Sequence, residues 1–453
     1  MEILKLIYSL SLPWWMGYQI LFLIGGRNKL DWTVSSAIAF GIGFGILSQI
    51  MLILGILNVE FSVFNISAVL IFLGGGSWLI KKIRTSGKEV MPIILPHKLF
   101  TGYDILSPSM IILIKAIIVY YIVYVFWNAI SFPVYEWDSV STAIYNAKVI
   151  YFDRSLKSFE FLAHRAYPLH IPFLTVWIST NLGFWTEQTF KIIFPLTLCM
   201  FTGVFYQYLA SQTNKNWSLL GVFMLFSSNL LIFHASATYR DLSLMFYNCS
   251  AIIFLLIWKD QKQDTFLILA ALFSGFGTFI KQEGTAYLLV HILVMLTILI
   301  KYKTENNKAK AVKAAIFLIL TLGIYSLFFG YKILNGYNTT EYLSFNFYSA
   351  FQQIPLILVA FIKALFFTAN WNILWALLFV SAAFNIRKIK NDSNIQVLLI
   401  TITLFFALLM SLSLVVEKGL IINVYNISRI LLHFFPLCPL AIILLISRSD
   451  EQP

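Results

Sequence analysis

The sequence predicts an all-α polytopic membrane protein, a bundle of about 13 transmembrane helices with interfacial helices in its outer loops. Three observations carry this. Hydrophobic residues make up 59% of the 453 residues and charged residues only 11%, where a soluble chain carries about 25% charged. The mean hydropathy of +0.82 makes the apolar excess chain-wide. The basic residues fall in short loops between apolar runs. This composition excludes a disordered chain and argues against a soluble multidomain enzyme.

A spanning helix needs about 20 apolar residues. Candidate spans run over residues 4–24, 35–57, 63–80, 110–130, 188–209, 218–233, 241–258, 265–280, 284–300, 314–334, 372–385, 395–415 and 428–446. The first holds Pro13, Trp14 and Trp15 with no small-residue cleavage site after it, so it reads as a retained span rather than a signal peptide. Two further apolar stretches resist the scheme. One, 168–183, is punctuated by His170 and Pro172; the other, 355–371, contains Lys363. Counting both as spans separates Asn214–Lys215 from Arg387–Lys390. Treating both as interfacial helices puts every Lys/Arg-rich loop on one side. These loops are Arg27 with Lys29, 81–88, 301–313 and 387–390. Both termini then follow: the first outside, 447–453 inside.

Lys plus Arg is 32 against 20 Asp plus Glu, a net charge of +12. In loops beside apolar runs this is the cytoplasmic positive-inside signature, not a nucleic-acid footprint. Cys199, Cys249 and Cys438 lie inside apolar runs with no CxxC spacing and read as packing residues. The opposite face collects the loops 131–166, 234–241, 281–283, 335–353 and 417–426, which hold eight of the 20 acidic residues. Loops on one face of a scaffold are where chemistry is expected.

Five constellations fall on that face. Tyr135-Glu136-Trp137-Asp138-Ser139 opens the segment 140–152, whose apolar residues have helical period; this reads as an amphipathic surface helix with Asn146 and Lys148 on its polar face. Asp138 also suits a plain helix N-cap. His164-Arg165-Ala166-Tyr167-Pro168-Leu169-His170 opens the next helix, with Pro tolerated in a first turn; Tyr167 and His170 also suit a headgroup-level belt. Tyr239-Arg240-Asp241 opens a span. Lys281-Gln282-Glu283-Gly284 is a tight turn between two spans. Arg429 and His433 sit four apart, on one face of the last span. Ionisable groups inside a span face a cavity or a partner.

One acid at a membrane surface, several outer-face cations and a large apolar body fit a lipid-linked phosphate donor. Its tail lies in the bilayer, and its phosphate pairs with Arg and Lys. Glycosyl transfer with inversion needs one carboxylate as general base on the acceptor hydroxyl. The phosphate leaving group is stabilised by cations rather than by a second acid. Asp138 fits the base, and Arg240, Lys281 and Arg429 fit the donor-phosphate clamp. Tyr167, His170, Asp241, Glu283 and His433 stand as candidate substrate contacts.

Trp137-Asp138-Ser139, Tyr167-Pro168-Leu169, Arg240-Asp241, Lys281-Gln282-Glu283-Gly284 and Arg429 together resemble the GT-C superfold glycosyltransferases. The resemblance is closest to the branch of protein mannosyltransferases, lipid A aminoarabinose transferases and related lipopolysaccharide sugar transferases. It covers roughly residues 110–300 and the Arg429 region; residues 1–98 match nothing in that family. It implies 1–100 as N-terminal transmembrane helices, 101–334 as a GT-C-like catalytic transmembrane module with outer loop 131–187, and 335–453 as C-terminal transmembrane helices. It also implies a polyprenyl-phosphate sugar donor and a glycan, lipid or protein acceptor. The setting would be a bacterial inner membrane with the site facing the periplasm, Asp138 as the catalytic acid of the loop, and no cofactor. A divalent cation between Asp138 and Asp241 or Glu283 is the alternative to a metal-free site. Asp138 is followed by Ser139 rather than by the second acid of the protein mannosyltransferases, which leaves the acceptor open. The rival readings are a transporter or flippase of lipid-linked sugars and a non-catalytic envelope scaffold.

Overall fold

The computed structural model of the chain describes residues 1–25, 31–84, 105–302, 306–337, 347–415 and 423–447. Among these residues every regular element is helical. The basic pair Arg27 and Lys29, the second half of 81–88, and much of the outer loops at 335–353 and 417–426 lie outside them.

The helices, in chain order, are α1 (Glu2–Gly25), α2 (Trp32–Ile56), α3 (Val63–Arg84), α4 (Pro108–Ser131), α5 (Tyr145–Asp153), α6 (His170–Leu182), α7 (Ile193–Gln212), α8 (Lys215–Phe226), α9 (Asn229–His234), α10 (Arg240–Gln261), α11 (Asp264–Thr278), α12 (Gln282–Lys301), α13 (Asn307–Leu334), α14 (Phe347–Phe366), α15 (Leu374–Phe384), α16 (Ile386–Asn391), α17 (Ser393–Val415), α18 (Val424–Leu432) and α19 (Leu437–Ser447). Their starts follow local chemistry. Side-chain oxygens of Asp31, Ser107, Asn214, Ser228, Asn306 and Asn423 accept from the first free backbone N–H groups of α2, α4, α8, α9, α13 and α18.

Among the described residues nine helices are long and apolar enough to cross a membrane, or ten if α18 and α19, bent by 61°, form one span. The multi-pass expectation holds at that level. Four of the expected spans are not single full-length helices. Residues 218–233 divide into α8 and α9, residues 428–446 into α18 and α19, residues 372–385 give only the 11-residue α15, and α11 has 15 residues. The breaks between α8 and α9 and between α14 and α15 satisfy one another. Ser228 Oγ donates to the Asn370 carbonyl (3.0 Å), Asn229 Nδ2 to Ala369 O (3.2 Å), and Asn372 Nδ2 to Ser227 O (2.7 Å). Freed backbone groups inside an apolar layer need such partners. The break lies about 18 Å of helix beyond Lys215, roughly halfway across a hydrocarbon layer.

α10 is the buried centre; every residue of its apolar stretch is covered. It touches α7, α9, α11, α12 and α18. α1 and α2 cross in close contact, because a Cβ on Gly17 would lie 1.9 Å from Ala39 O and one on Gly43 2.1 Å from Pro13 O. Small residues at such crossings let backbones approach.

Two surface expectations change. The helix in 168–183 does not lie exposed at an interface: α6 is buried along nearly its whole length and touches α1, α2 and α5. Asn146 is not on an exposed polar face. It is buried, donating from Nδ2 to Ala163 O and accepting from Ala163 N–H at Oδ1. A long-range backbone clamp outweighs the local amphipathic pattern.

The 22 residues of α10 separate its ends by about 33 Å. At the far end Lys259 pairs with Asp260 (2.8 Å) and Lys313 with Asp264 (3.1 Å), and Lys301 donates to Gln396 (2.8 Å). The near end carries Arg240 and Asp241, and the outer-loop constellations gather there.

Candidate functional site

Asp241 sits in the first turn of α10 and is fully buried. Three groups converge on its carboxylate. Lys281 Nζ, from the turn between α11 and α12, is 3.0 Å from Oδ1. Arg429 Nη2, from α18, is 3.0 Å from Oδ2. His433 Nε2, just after α18, is 2.8 Å from Oδ1. The turn that delivers Lys281 depends on a glycine, because a Cβ on Gly284 would lie 2.0 Å from Gly277 O on α11. Lys281 also pairs with Glu283 at 2.9 Å. Burial pushes the Lys281 ammonium toward the neutral form, but Asp241 and Glu283 outweigh it and hold the group above the ordinary lysine value.

Asp138 reaches the same cluster from the opposite side. It precedes a π-helical turn, Ser139–Ile144, and its side chain caps no backbone N–H. Its Oδ2 instead accepts from Arg429 Nη1 at 2.5 Å. One guanidinium thus bridges two carboxylates, one 48% exposed and one 0% exposed. The Arg429 plane also lies over Tyr239, 4.3 Å from the ring centroid, and 5.8 Å from Tyr425. The loop before Asp138 is pinned from below. Lys191, itself buried, donates to Phe132 O (3.0 Å) and Pro133 O (3.3 Å).

Arg240 is the odd cation. It is 7% exposed, and among the described residues no carboxylate pairs with it. Nη1 donates to Thr142 Oγ1 at 3.3 Å, and the guanidinium lies 5.1 Å from the Tyr167 centroid. Nε and Nη2 are buried without a partner. Burial raises the Tyr167 phenol, with Glu283 adding to the effect, so the phenol stays a donor at neutral pH. Three carboxylates (Asp138, Asp241, Glu283) face three cations (Arg240, Lys281, Arg429), yet the ion pairs involve only two of the cations.

The structure therefore brings together Asp138, Tyr167, Arg240, Asp241, Lys281, Glu283, Arg429 and His433. It places His170 elsewhere: Nδ1 is 2.6 Å from Ser48 Oγ on α2, and the ring meets Tyr247 edge-on. Four participants are new. His234 is fully buried, with Nδ1 4.0 Å from Asp241 Oδ2 and no hydrogen-bond partner on either nitrogen. Tyr287 OH is 2.8 Å from His433 Nδ1, and Asn248 and His291 lie behind it. For three of them the sequence signal is spacing: Glu283, Tyr287 and His291 recur every four residues on α12, and Asn248 follows Asp241 by seven on α10.

Asp138 and Asp241 do meet in space, as a shared cation would require, but the Arg429 guanidinium lies between them. Among the described residues no group of three or more His, Cys, Asp or Glu could hold a metal ion. Comparison of the chain with protein-family models, curated proteins and solved structures returns no match.

Proposed function

We propose that this chain is an integral membrane glycosyltransferase with a GT-C-type bundle of about 13 spans. It moves a sugar from a polyprenyl-phosphate donor to an acceptor hydroxyl on the outer face, the periplasmic face of a bacterial inner membrane, with inversion. The observation that carries the reading is Arg240: a buried guanidinium with two unpartnered nitrogens, beside a half-exposed carboxylate that shares Arg429 with Asp241. A buried guanidinium with unpartnered N–H groups is expensive to keep unless an acceptor arrives to take them. A phosphate diester has the charge and the acceptor oxygens to take that place. The clustering of basic side chains at the other end of the bundle supports an outward-facing site.

In this scheme Tyr167 and Thr142 orient Arg240 toward the phosphate, and Arg429 and Lys281 stabilise the charge it gains. The acceptor oxygen attacks the anomeric carbon as its proton passes to the Asp138 carboxylate. The bond from that carbon to the phosphate oxygen breaks, and the electron pair leaves with the polyprenyl phosphate. Nothing else is consumed.

Arg240→Gln removes charge-assisted hydrogen bonds to the donor worth about 1.5–3 kcal/mol, a rise of roughly 10- to 150-fold in donor KM. Transfer from a radiolabelled polyprenyl-phosphate sugar in membranes enriched in the protein checks this. An unchanged donor KM sinks the assignment.

Oδ2 of Asp138 is held by Arg429 Nη1, so that oxygen takes the acceptor proton only once the guanidinium turns to another anion. Incoming phosphate competes for Arg429 and frees the carboxylate. Donor is therefore expected to bind first. An unreactive acceptor analogue should inhibit uncompetitively against the donor; noncompetitive inhibition would mean random order and defeat the exchange.

A transporter of lipid-linked sugars is the second reading. The facing helix breaks at Ser227–Ser228 and Ala369–Asn372 favour it, because transporters place discontinuous helices at mid-depth. These breaks carry Ser and Asn rather than ionisable groups, and the charged cluster lies at the end of the bundle. Transport that continues after the Asp138 carboxylate is removed would favour this reading over the enzyme.

A further inference from the structure

His433 follows α18 at the bend before α19 and is fully buried. Both ring nitrogens are engaged: Nε2 faces Asp241 Oδ1 at 2.8 Å, and Nδ1 faces Tyr287 OH at 2.8 Å. No ring nitrogen is left for a substrate, so the position suits a different role from the substrate contact its sequence setting suggests. The directions of both bonds follow from the donor and acceptor inventory. An ionised carboxylate only accepts, so Nε2 carries a proton. Three cations already balance the three carboxylates of the cluster, which leaves no charge for an imidazolium. The ring is then neutral, Nδ1 is an acceptor, and Tyr287 donates to it.

The backbone of the same residue is held as well. Asn248 Nδ2 donates to His433 O at 2.7 Å. That fixes the amide so that Asn248 Oδ1 accepts from His291 Nε2 at 2.8 Å. Ring and main chain of one residue are thus gripped by α12 and α10.

We infer that Tyr287 and His433 are positioning residues: the directed chain from the Tyr287 hydroxyl through the His433 imidazole holds the Asp241 carboxylate, and with it Lys281 and Arg429, in the arrangement that receives an anionic lipid phosphate. The inference rests on the donor-phosphate reading above. The competing explanation is a polar network that only stabilises the fold. Two features favour positioning. The chain ends on the carboxylate that both clamp cations share, and every link in it is a short hydrogen bond with a single allowed direction.

The test uses full-length protein in lipid nanodiscs with two readouts, one of them independent of turnover. Nitrogen-15 spectra of the histidines, six in the chain, are assigned at His433 by the His433→Gln variant. The wild-type ring is expected in the neutral form with the proton on Nε2 and a hydrogen-bonded Nδ1. Tyr287→Phe deletes one oxygen; it should release Nδ1 and weaken farnesyl phosphate binding by on the order of tenfold at unchanged melting temperature. His433→Gln keeps an amide N–H near the Nε2 position and should bind farnesyl phosphate within a few-fold of wild type, whereas His433→Leu should lose binding. A proton on Nδ1, an imidazolium, or Tyr287→Phe with unchanged spectrum and affinity would overturn the inference. So would a loss of affinity that only tracks a lower melting temperature across the variants. A wild type that does not bind farnesyl phosphate defeats the donor reading, and the nitrogen spectrum then decides the chain by itself.

Discussion

Asp138→Asn is expected to lower sugar transfer by roughly 10²- to 10⁴-fold, the usual contribution of a general base, while the protein accumulates in the membrane at the wild-type level. The second half of the expectation comes from geometry. Asp138 is half exposed, and the pair it forms with Arg429 is not the only one that guanidinium has. With the charge gone, Arg429 keeps Asp241 at 3.0 Å and the Tyr239 face. The asparagine amide oxygen still offers Nη1 an acceptor. No buried charge is stranded, because the nearly buried Arg429 keeps Asp241, and a pair open to solvent on the Asp138 side contributes much less than a fully buried one. Chemistry and folding therefore separate at this position. Transfer and membrane abundance, measured side by side for Asp138→Asn and wild type, read both. Equal transfer by the two proteins would return Asp138 to a structural role and move the search for a base to Glu283. Loss of abundance in step with loss of transfer would leave the catalytic assignment without support.

The parts of this arrangement that are legible in the sequence are those set by short-range spacing. Arg429 and His433 at a separation of four, Arg240 beside Asp241, and the Lys281–Gly284 turn each mark one end of one helix, and those ends do converge. Tyr287, His291 and Asn248 carry the same spacing signal along α12 and α10. They do not stand out, because a tyrosine, histidine or asparagine in an apolar run has an adequate packing explanation, and only a partner on another helix decides against it. The Arg429 bridge joins residues 291 positions apart, and no local pattern encodes that. The same limit explains Asn146, whose amphipathic setting is overruled by the Ala163 backbone, and His170, whose Tyr-Pro context suggests a surface yet whose partner is Ser48 on α2. Hydropathy locates the apolar runs. It does not register helix breaks, because Ser228 and Asn372 satisfy opened backbone groups across a contact that the run itself does not contain.

Asp241→Asn is expected to have a different signature: a large loss of folded protein, and lower transfer per folded molecule because Lys281 and Arg429 lose the carboxylate that holds them. The side chain keeps its shape and loses only its charge, so packing is not the cause. The carboxylate is fully buried and pairs with Lys281 and Arg429, both nearly buried themselves. Removing one partner of a buried ion pair costs about 3–5 kcal/mol, because the remaining charge cannot return to water. That is at least a fifth of the typical stability of about 5–15 kcal/mol. Glu283 and Asp138 still pair with Lys281 and Arg429, which places the expected loss toward the lower end. The substitution also disturbs the directed chain, since the new side-chain amide can present either an oxygen or an NH2 group to the Nε2–H of His433. Thermal unfolding in detergent measures the loss, and a double-mutant cycle identifies its cause. Adding Lys281→Met to Asp241→Asn removes the stranded cation, so the double variant should be more stable than the sum of the single losses predicts. Additive losses would show that the two side chains do not act as a pair. A normally stable Asp241→Asn would show that the buried charge is not what holds the fold together at this site. The two carboxylates share one guanidinium, and the physical difference between them is water: Asp138 is half exposed and open to an acceptor, whereas Asp241 is closed off from solvent and enclosed by the cations it pairs with.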